Sequence, residues 1–224
     1  MLRKIFNRMK FGTWTPSARE MVVSKNAKLF KRSGSIFLHI PKTAGVSVFK
    51  SVYGVDSLGH VPLIEYERYL GKESLDALYK FTFVRNPFTR LNSAYTYLAA
   101  GGRGRKSDLE NQLKVNKYKD FEAFVHGILE DSDLQQIEHL IPQYEWLIDS
   151  ENRIRLDLVC KMENLAENFR MVEKAIKVKS PLRHLNKSTS SKDVKLEEIY
   201  TSEMVDVVRT IYKRDLVEFN YDSY

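Results

Sequence analysis

The sequence predicts a single α/β domain with a central parallel sheet flanked by helices, and three observations lead there. Short apolar runs ending near proline recur along the chain, and each is followed by a segment of helical spacing. Strands separated by helices need crossover connections, which favour parallel pairing under cover on both faces. A length of 224 residues, 43% hydrophobic and 29% charged, suffices for one such domain with a full core and little more.

Residues 1–34 read as a basic appendage to a body spanning 35–224. They hold nine basic side chains and one acid, Glu20, so the whole-chain charge of +7 leaves the body nearly neutral. That distribution argues against a nucleic-acid interface, which would place basic residues on the folded body too. Leu2, Ile5, Phe6 and Met9 share one helical face, so residues 1–11 suit an anionic membrane surface or packing on a protein. No stretch approaches the ~18 apolar residues of a membrane span. The single cysteine, Cys160, excludes an internal disulfide or a cysteine metal cluster and fits a reducing cytoplasm.

Within the body, Ser35 to Ile40 forms a buried strand ended by Pro41, and Val46 to Val52 the helix after it. Tyr79 to Val84 is a second strand, stopped by Asn86-Pro87, and Phe88 to Ala100 its helix, stopped by Gly101-Gly102. Leu156 to Cys160 is a third strand and Glu163 to Ile176 a third helix. Helical patterns also cover about 120–129, 134–148 and 202–213, with loops at 101–106 and 179–192.

Two places carry chemistry. Between the first strand and its helix lies Pro41-Lys42-Thr43-Ala44-Gly45-Val46-Ser47. A tight turn into a helix start aims several backbone N–H groups at one spot. Gly45 allows close approach, Lys42 adds positive charge, and Thr43 and Ser47 offer hydroxyls, so the turn suits a phosphate or sulfate. The lysine precedes the glycine and GxxxxGK[ST] is absent, so this is not the nucleotide-triphosphatase loop. A plain strand-to-helix junction would look similar. After the second strand come Arg85, Arg90 and Ser93, at the strand's carboxyl end where open α/β sheets bind ligands. Arg85 with Ser93 could grip a second phosphate, and either arginine could instead pair with a carboxylate.

His39-Ile-Pro-Lys-Thr-Ala-Gly45 and Arg85-Asn-Pro-Phe-Thr-Arg-Leu-Asn-Ser-Ala-Tyr95 resemble the two cofactor motifs of the carbohydrate sulfotransferase family. That family includes heparan-sulfate 2-O- and chondroitin 4-O-sulfotransferases and short bacterial relatives. Asp157 to Phe169, His184 to Ser188 and Glu198 to Tyr221 look like it as well, so the resemblance runs from about 35 to 221. It implies a P-loop-like nucleotide-binding core and 3′-phosphoadenosine 5′-phosphosulfate (PAPS) as donor, without a metal. By the same resemblance Pro41 and Lys42 to Ser47 would hold the 5′-phosphosulfate, and Arg85 and Ser93 the 3′-phosphate. Asn186, Lys187 and Ser188 would close over the nucleotide.

Lys42 is then the expected group for charge on the leaving phosphate, and His60, in a segment like that of the 2-O-sulfotransferases, the expected base. Glu65 and Glu67 are substitutes for it. His139, Arg103 and Arg105 are candidate acceptor contacts, although a core histidine and a solvated basic loop are ordinary alternatives. The expected activity is sulfuryl transfer to a hydroxyl of a carbohydrate or glycan precursor, in the cytoplasm or at the inner membrane face. A P-loop-like kinase and a non-catalytic nucleotide- or glycan-binding protein remain open beside it.

Overall fold

A computed structural model describes residues 16–56, 58–178, 182 and 195–221. The expected helix at 1–11, His184 and the nucleotide-closing residues Asn186, Lys187 and Ser188 lie outside them. In chain order the elements begin α1 (Pro16–Ser33), β1 (Ser35–Leu38), α2 (Gly45–Tyr53), α3 (Leu63–Leu70), α4 (Lys72–Asp76) and β2 (Tyr79–Val84). There follow α5 (Pro87–Ala99), α6 (Lys106–Val115), α7 (Phe121–Gly127), α8 (Ser132–Gln135) and a 3₁₀ turn, Gln143–Trp146. After β3 (Leu158–Lys161) come α9 (Leu165–Ile176), α10 (Leu196–Ile199), α11 (Ser202–Ile211) and α12 (Lys213–Glu218). Among the described residues no helix is long and apolar enough to cross a membrane.

The chain divides into two units. Among the described residues, the sheet unit comprises 16–85 and 143–178, and the helical unit 86–142 and 195–221.

In the sheet unit the three strands are parallel in the order β1-β2-β3, with Phe37 opposite Phe81 and Phe83 opposite Cys160. Parallel strands under cover need apolar residues on both faces, and every residue of β1 is buried, as is all of β2 beyond Tyr79. β3 departs from that pattern, since Val159 is 40% exposed at the sheet's edge. The core is aromatic. Phe37 stacks on Phe81 at 5.2 Å between centroids and meets Phe49 edge-on at 5.0 Å; rings so placed add ~0.5–1.5 kcal/mol per pair beyond burial. β3 starts at Leu158 instead of Leu156 because the Asp157 carboxylate, rather than a backbone carbonyl, accepts the Lys80 N–H at 2.6 Å.

α1 lies ahead of the expected boundary at residues 34–35. Val23, Ala27 and Phe30, on one face of α1, are buried. Asn26 beside them donates to the Leu58 carbonyl and to the Tyr66 hydroxyl, both at 2.9 Å, so a buried amide ties α1 to α3 and to the segment ahead of it.

The helical unit starts from a cap. The Asn86 side chain accepts the Phe88 N–H and Pro87 occupies the first turn, where a missing N–H costs nothing. Phe88, Leu91, Ala94 and Leu98 of α5 then pack with Phe124 and Val125 of α7 and Val205, Val208 and Ile211 of α11. The expected helix over 134–148 does not form. Pro142 lacks an N–H and restricts Ile141, and three successive carbonyls go to side chains. Arg90 Nη2 donates to those of His139 (3.2 Å) and Ile141 (2.9 Å), and the Tyr212 hydroxyl to that of Leu140 (2.8 Å). The helix expected at about 202–213 is α11, which ends at Ile211, and α12 follows after Tyr212. The 101–106 loop is a run of turns, closed by Gly102 N–H to Tyr97 O (2.9 Å) and Arg103 N–H to the buried Asp108 carboxylate (3.1 Å).

Candidate anion-binding site

β1 leaves the sheet at Leu38, whose carbonyl takes the buried Thr82 hydroxyl at 2.7 Å. The chain then folds through Pro41 into α2. Lys42 and Ala44 both adopt the left-handed backbone region, with φ of 71° and 64°. For residues other than glycine this costs ~1–3 kcal/mol each and persists only where the surroundings enforce it. Turns of left-handed backbone gather N–H groups on one concave side. The first turn of a helix adds further outward N–H groups, and α2 begins at Gly45 with no side chain capping it.

Two contacts enforce the turn. The Thr43 hydroxyl donates to the Ile40 carbonyl at 2.9 Å and the residue is fully buried, so its side chain closes the loop. Below the loop, a Cβ on Gly45 would lie 1.7 Å from His39 Nε2, so the imidazole occupies the space any other residue would need. That ring packs among three others, 5.7 Å from Phe37, 5.4 Å from Phe49 and 4.4 Å from His60, centroid to centroid. Pro41, Thr43, Gly45 and Ser47 are buried, while Lys42, Ala44 and Val46 are half-buried.

His60 is thus brought beside the turn by way of His39. Its segment is pinned twice: Asn26 holds the Leu58 carbonyl, and His39 Nδ1 lies 3.3 Å from the Gly59 carbonyl. A carbonyl only accepts, so that contact places the His39 proton on Nδ1. The Trp146 ring meets His60 edge-on at 6.0 Å. The two substitute carboxylates are otherwise occupied. Glu67 accepts the N–H and the hydroxyl of Ser150, both at 2.8 Å, and Glu65 pairs with Arg68 at 2.9 Å.

Arg85, the residue after β2, is half-buried, and its Nη1 donates to the Lys42 carbonyl across a long 3.4 Å. The two motifs, separated in sequence, therefore meet at the carboxyl edge of β1 and β2. Sequence reasoning passed over Gln143, fully buried, whose carboxamide grips the Arg85 backbone: Oε1 accepts its N–H at 2.9 Å and Nε2 donates to its carbonyl at 2.8 Å. The available signal was a lone amide directly after Pro142, in a segment flanked by Leu140, Ile141 and Trp146.

The other candidates lie in the helical unit. Ser93 is half-buried on α5. His139 is buried, its ring 5.1 Å from that of Tyr97, and its carbonyl is held by Arg90. Arg103 and Arg105 are exposed in the turn ahead of α6. Arg90 is 1% exposed and structural. Burial lowers its pKa, while Tyr212 and the buried Asp215 carboxylate act to raise it.

No curated protein and no solved structure matches the chain. A sequence model of the sulfotransferase family matches residues 56–222, a span that takes in His60, Arg85 and Gln143 and begins after the 41–47 turn. With well over half of its length in that match, the chain belongs to the sulfotransferase family.

Proposed function

We propose that this protein transfers a sulfuryl group from PAPS to a hydroxyl of a carbohydrate or glycan precursor. The observation that carries the proposal is the meeting of Arg85 with the Lys42 turn, which puts two cationic side chains and a concave backbone at one edge of the sheet. A nucleotide with phosphates on both sides of its ribose calls for two such grips. His39 fills the volume under Gly45 and so holds the shape of the turn whose backbone would meet the anion. In this reading the turn is P-loop-like in its task, although its lysine and glycine stand in the opposite order.

Bound PAPS would supply an activated sulfuryl group, and the side chains have three tasks around it. Backbone N–H groups of the 41–47 turn orient the 5′ end. Lys42 sets its ammonium against charge accumulating on the leaving phosphate, a contribution of ~10²–10³ in rate if it resembles an oxyanion donor. Arg85 takes the 3′-phosphate. His60 receives the acceptor's proton on its imidazole. The carbohydrate acceptor is inferred from the resemblance of the two motifs to carbohydrate sulfotransferases.

Thermal-shift titration provides the test. Adenosine 3′,5′-bisphosphate should stabilise the protein by about 2–3 kcal/mol at a hundredfold excess over its Kd, and ATP with magnesium far less. Lys42→Ala should retain the folded-state melting temperature while losing about 10²–10³ in single-turnover transfer from labelled donor. Equal stabilisation by ATP would favour a kinase, and bisphosphate binding without transfer a non-catalytic binder.

A further inference from the structure

Gln143 makes two hydrogen bonds of a kind that a neighbouring strand would normally supply. The last registered pair of the β2–β3 ladder is Val84 with Lys161, so Arg85 stands one residue beyond the regular sheet. There the Gln143 carboxamide takes both backbone groups of Arg85 at once, the N–H at 2.9 Å and the carbonyl at 2.8 Å. In extended backbone the N–H and C=O of one residue lie along one edge and the side chain stands perpendicular to them. Fixing that edge therefore fixes the direction in which the arginine leaves the chain. One residue later the backbone turns into α5, capped at Asn86.

We infer that Gln143 is a positioning residue that makes the site selective for a 3′-phosphorylated nucleotide, by aiming the Arg85 guanidinium over the Lys42 turn. This rests on the reading that Arg85 holds the 3′-phosphate. A charged fork is selective only when presented in one geometry; released, it would still meet phosphate but at a shifting distance from the 5′ grip. Gln143 is 0% exposed, so its effect on a ligand passes through the Arg85 backbone it grips rather than through direct contact.

Titration calorimetry on the full chain, comparing adenosine 3′,5′-bisphosphate with AMP, separates the possibilities. The wild type should prefer the bisphosphate by about 10–100-fold, the scale of hydrogen bonds to a charged group, and Arg85→Ala should abolish that preference. Gln143→Met, similar in shape but unable to bond, should lose most of the preference while its AMP affinity stays within about threefold. Gln143→Glu keeps the acceptor for the Arg85 N–H but opposes the Arg85 carbonyl, so it should fall between, and it carries the same comparison should Gln143→Met fail to fold. Either variant retaining the full wild-type preference overturns the inference. So does an equal loss of both nucleotides, which would mark Gln143 as merely structural. A wild type that binds both nucleotides alike, or an Arg85→Ala protein that still discriminates, removes the reading of Arg85 and this inference with it.

Discussion

The two units put neighbouring arginines to opposite uses. Arg85 closes the first stretch of the sheet unit, half-buried, with its backbone gripped by Gln143 and its guanidinium reaching the Lys42 turn. Arg90, five residues on, is buried in the helical unit, its Nη2 shared between two carbonyls and its charge facing Asp215. In one unit the backbone is tied down and the side chain reaches out to a neighbouring turn. In the other the side chain itself is the tie. A string that reads RNPFTR does not distinguish them; what does is whether the polar partners come to the main chain or to the fork.

The contrast can be broken by treating both positions alike. Arg90→Met should destabilise the protein by about 3–5 kcal/mol, because it strands the Asp215 charge and leaves buried carbonyls unmet. Arg85→Met should cost under about 1 kcal/mol while removing donor binding. Urea denaturation read beside nucleotide titration tests both, and equal losses of stability would erase the distinction.

A second, smaller effect sharpens the picture of the sheet unit as strained for a purpose. Gly45→Ala places a methyl where the His39 ring lies, so it should cost about 1–3 kcal/mol by overpacking and disturb the 41–47 turn and His60 together. Bisphosphate affinity and stability should fall in step. An alanine variant with unchanged affinity would show that His39 has room to move.

The smallest effect lies in pH. Burial works against the Asp149 charge, but the Arg153 N–H and the Arg155 guanidinium, whose Nε lies at 2.6 Å, outweigh it and hold this carboxyl below the usual carboxylate range. A depressed folded-state pKa means that the contribution is complete above the unfolded value, near 4, and is lost as pH falls through it toward the folded value. Asp149→Asn should accordingly flatten part of the acid-side decline in stability, and an unaltered slope below pH 4 would refute the assignment.

What was legible in the sequence followed from strong local signals. β1 and β2 are short apolar runs stopped near proline, and parallel strands bring the ends of both to one edge, so Lys42 and Arg85 could be expected together. The role of Thr43 could not, because whether a hydroxyl faces a pocket or closes its own turn depends on the left-handed backbone beside it. α1 was hidden by its charges, since lysines and arginines dominate the stretch while Val23, Ala27 and Phe30 mark the buried face. The 134–148 helix was overread from apolar spacing whose carbonyls are claimed by Arg90 and Tyr212, donors distant in sequence. Gln143 escaped for the same reason: its partner is backbone 58 positions away.

That amide has one more consequence. The chain leaves the sheet unit after Arg85 and re-enters it at Gln143, so the two bonds between these residues form the stem of an excursion covering 86–142. Closing such a stem becomes harder only with the logarithm of the length it spans, about 0.6 kcal/mol for each doubling. Insertions along the excursion can therefore accumulate at little cost while the end of β2 stays fastened at Arg85.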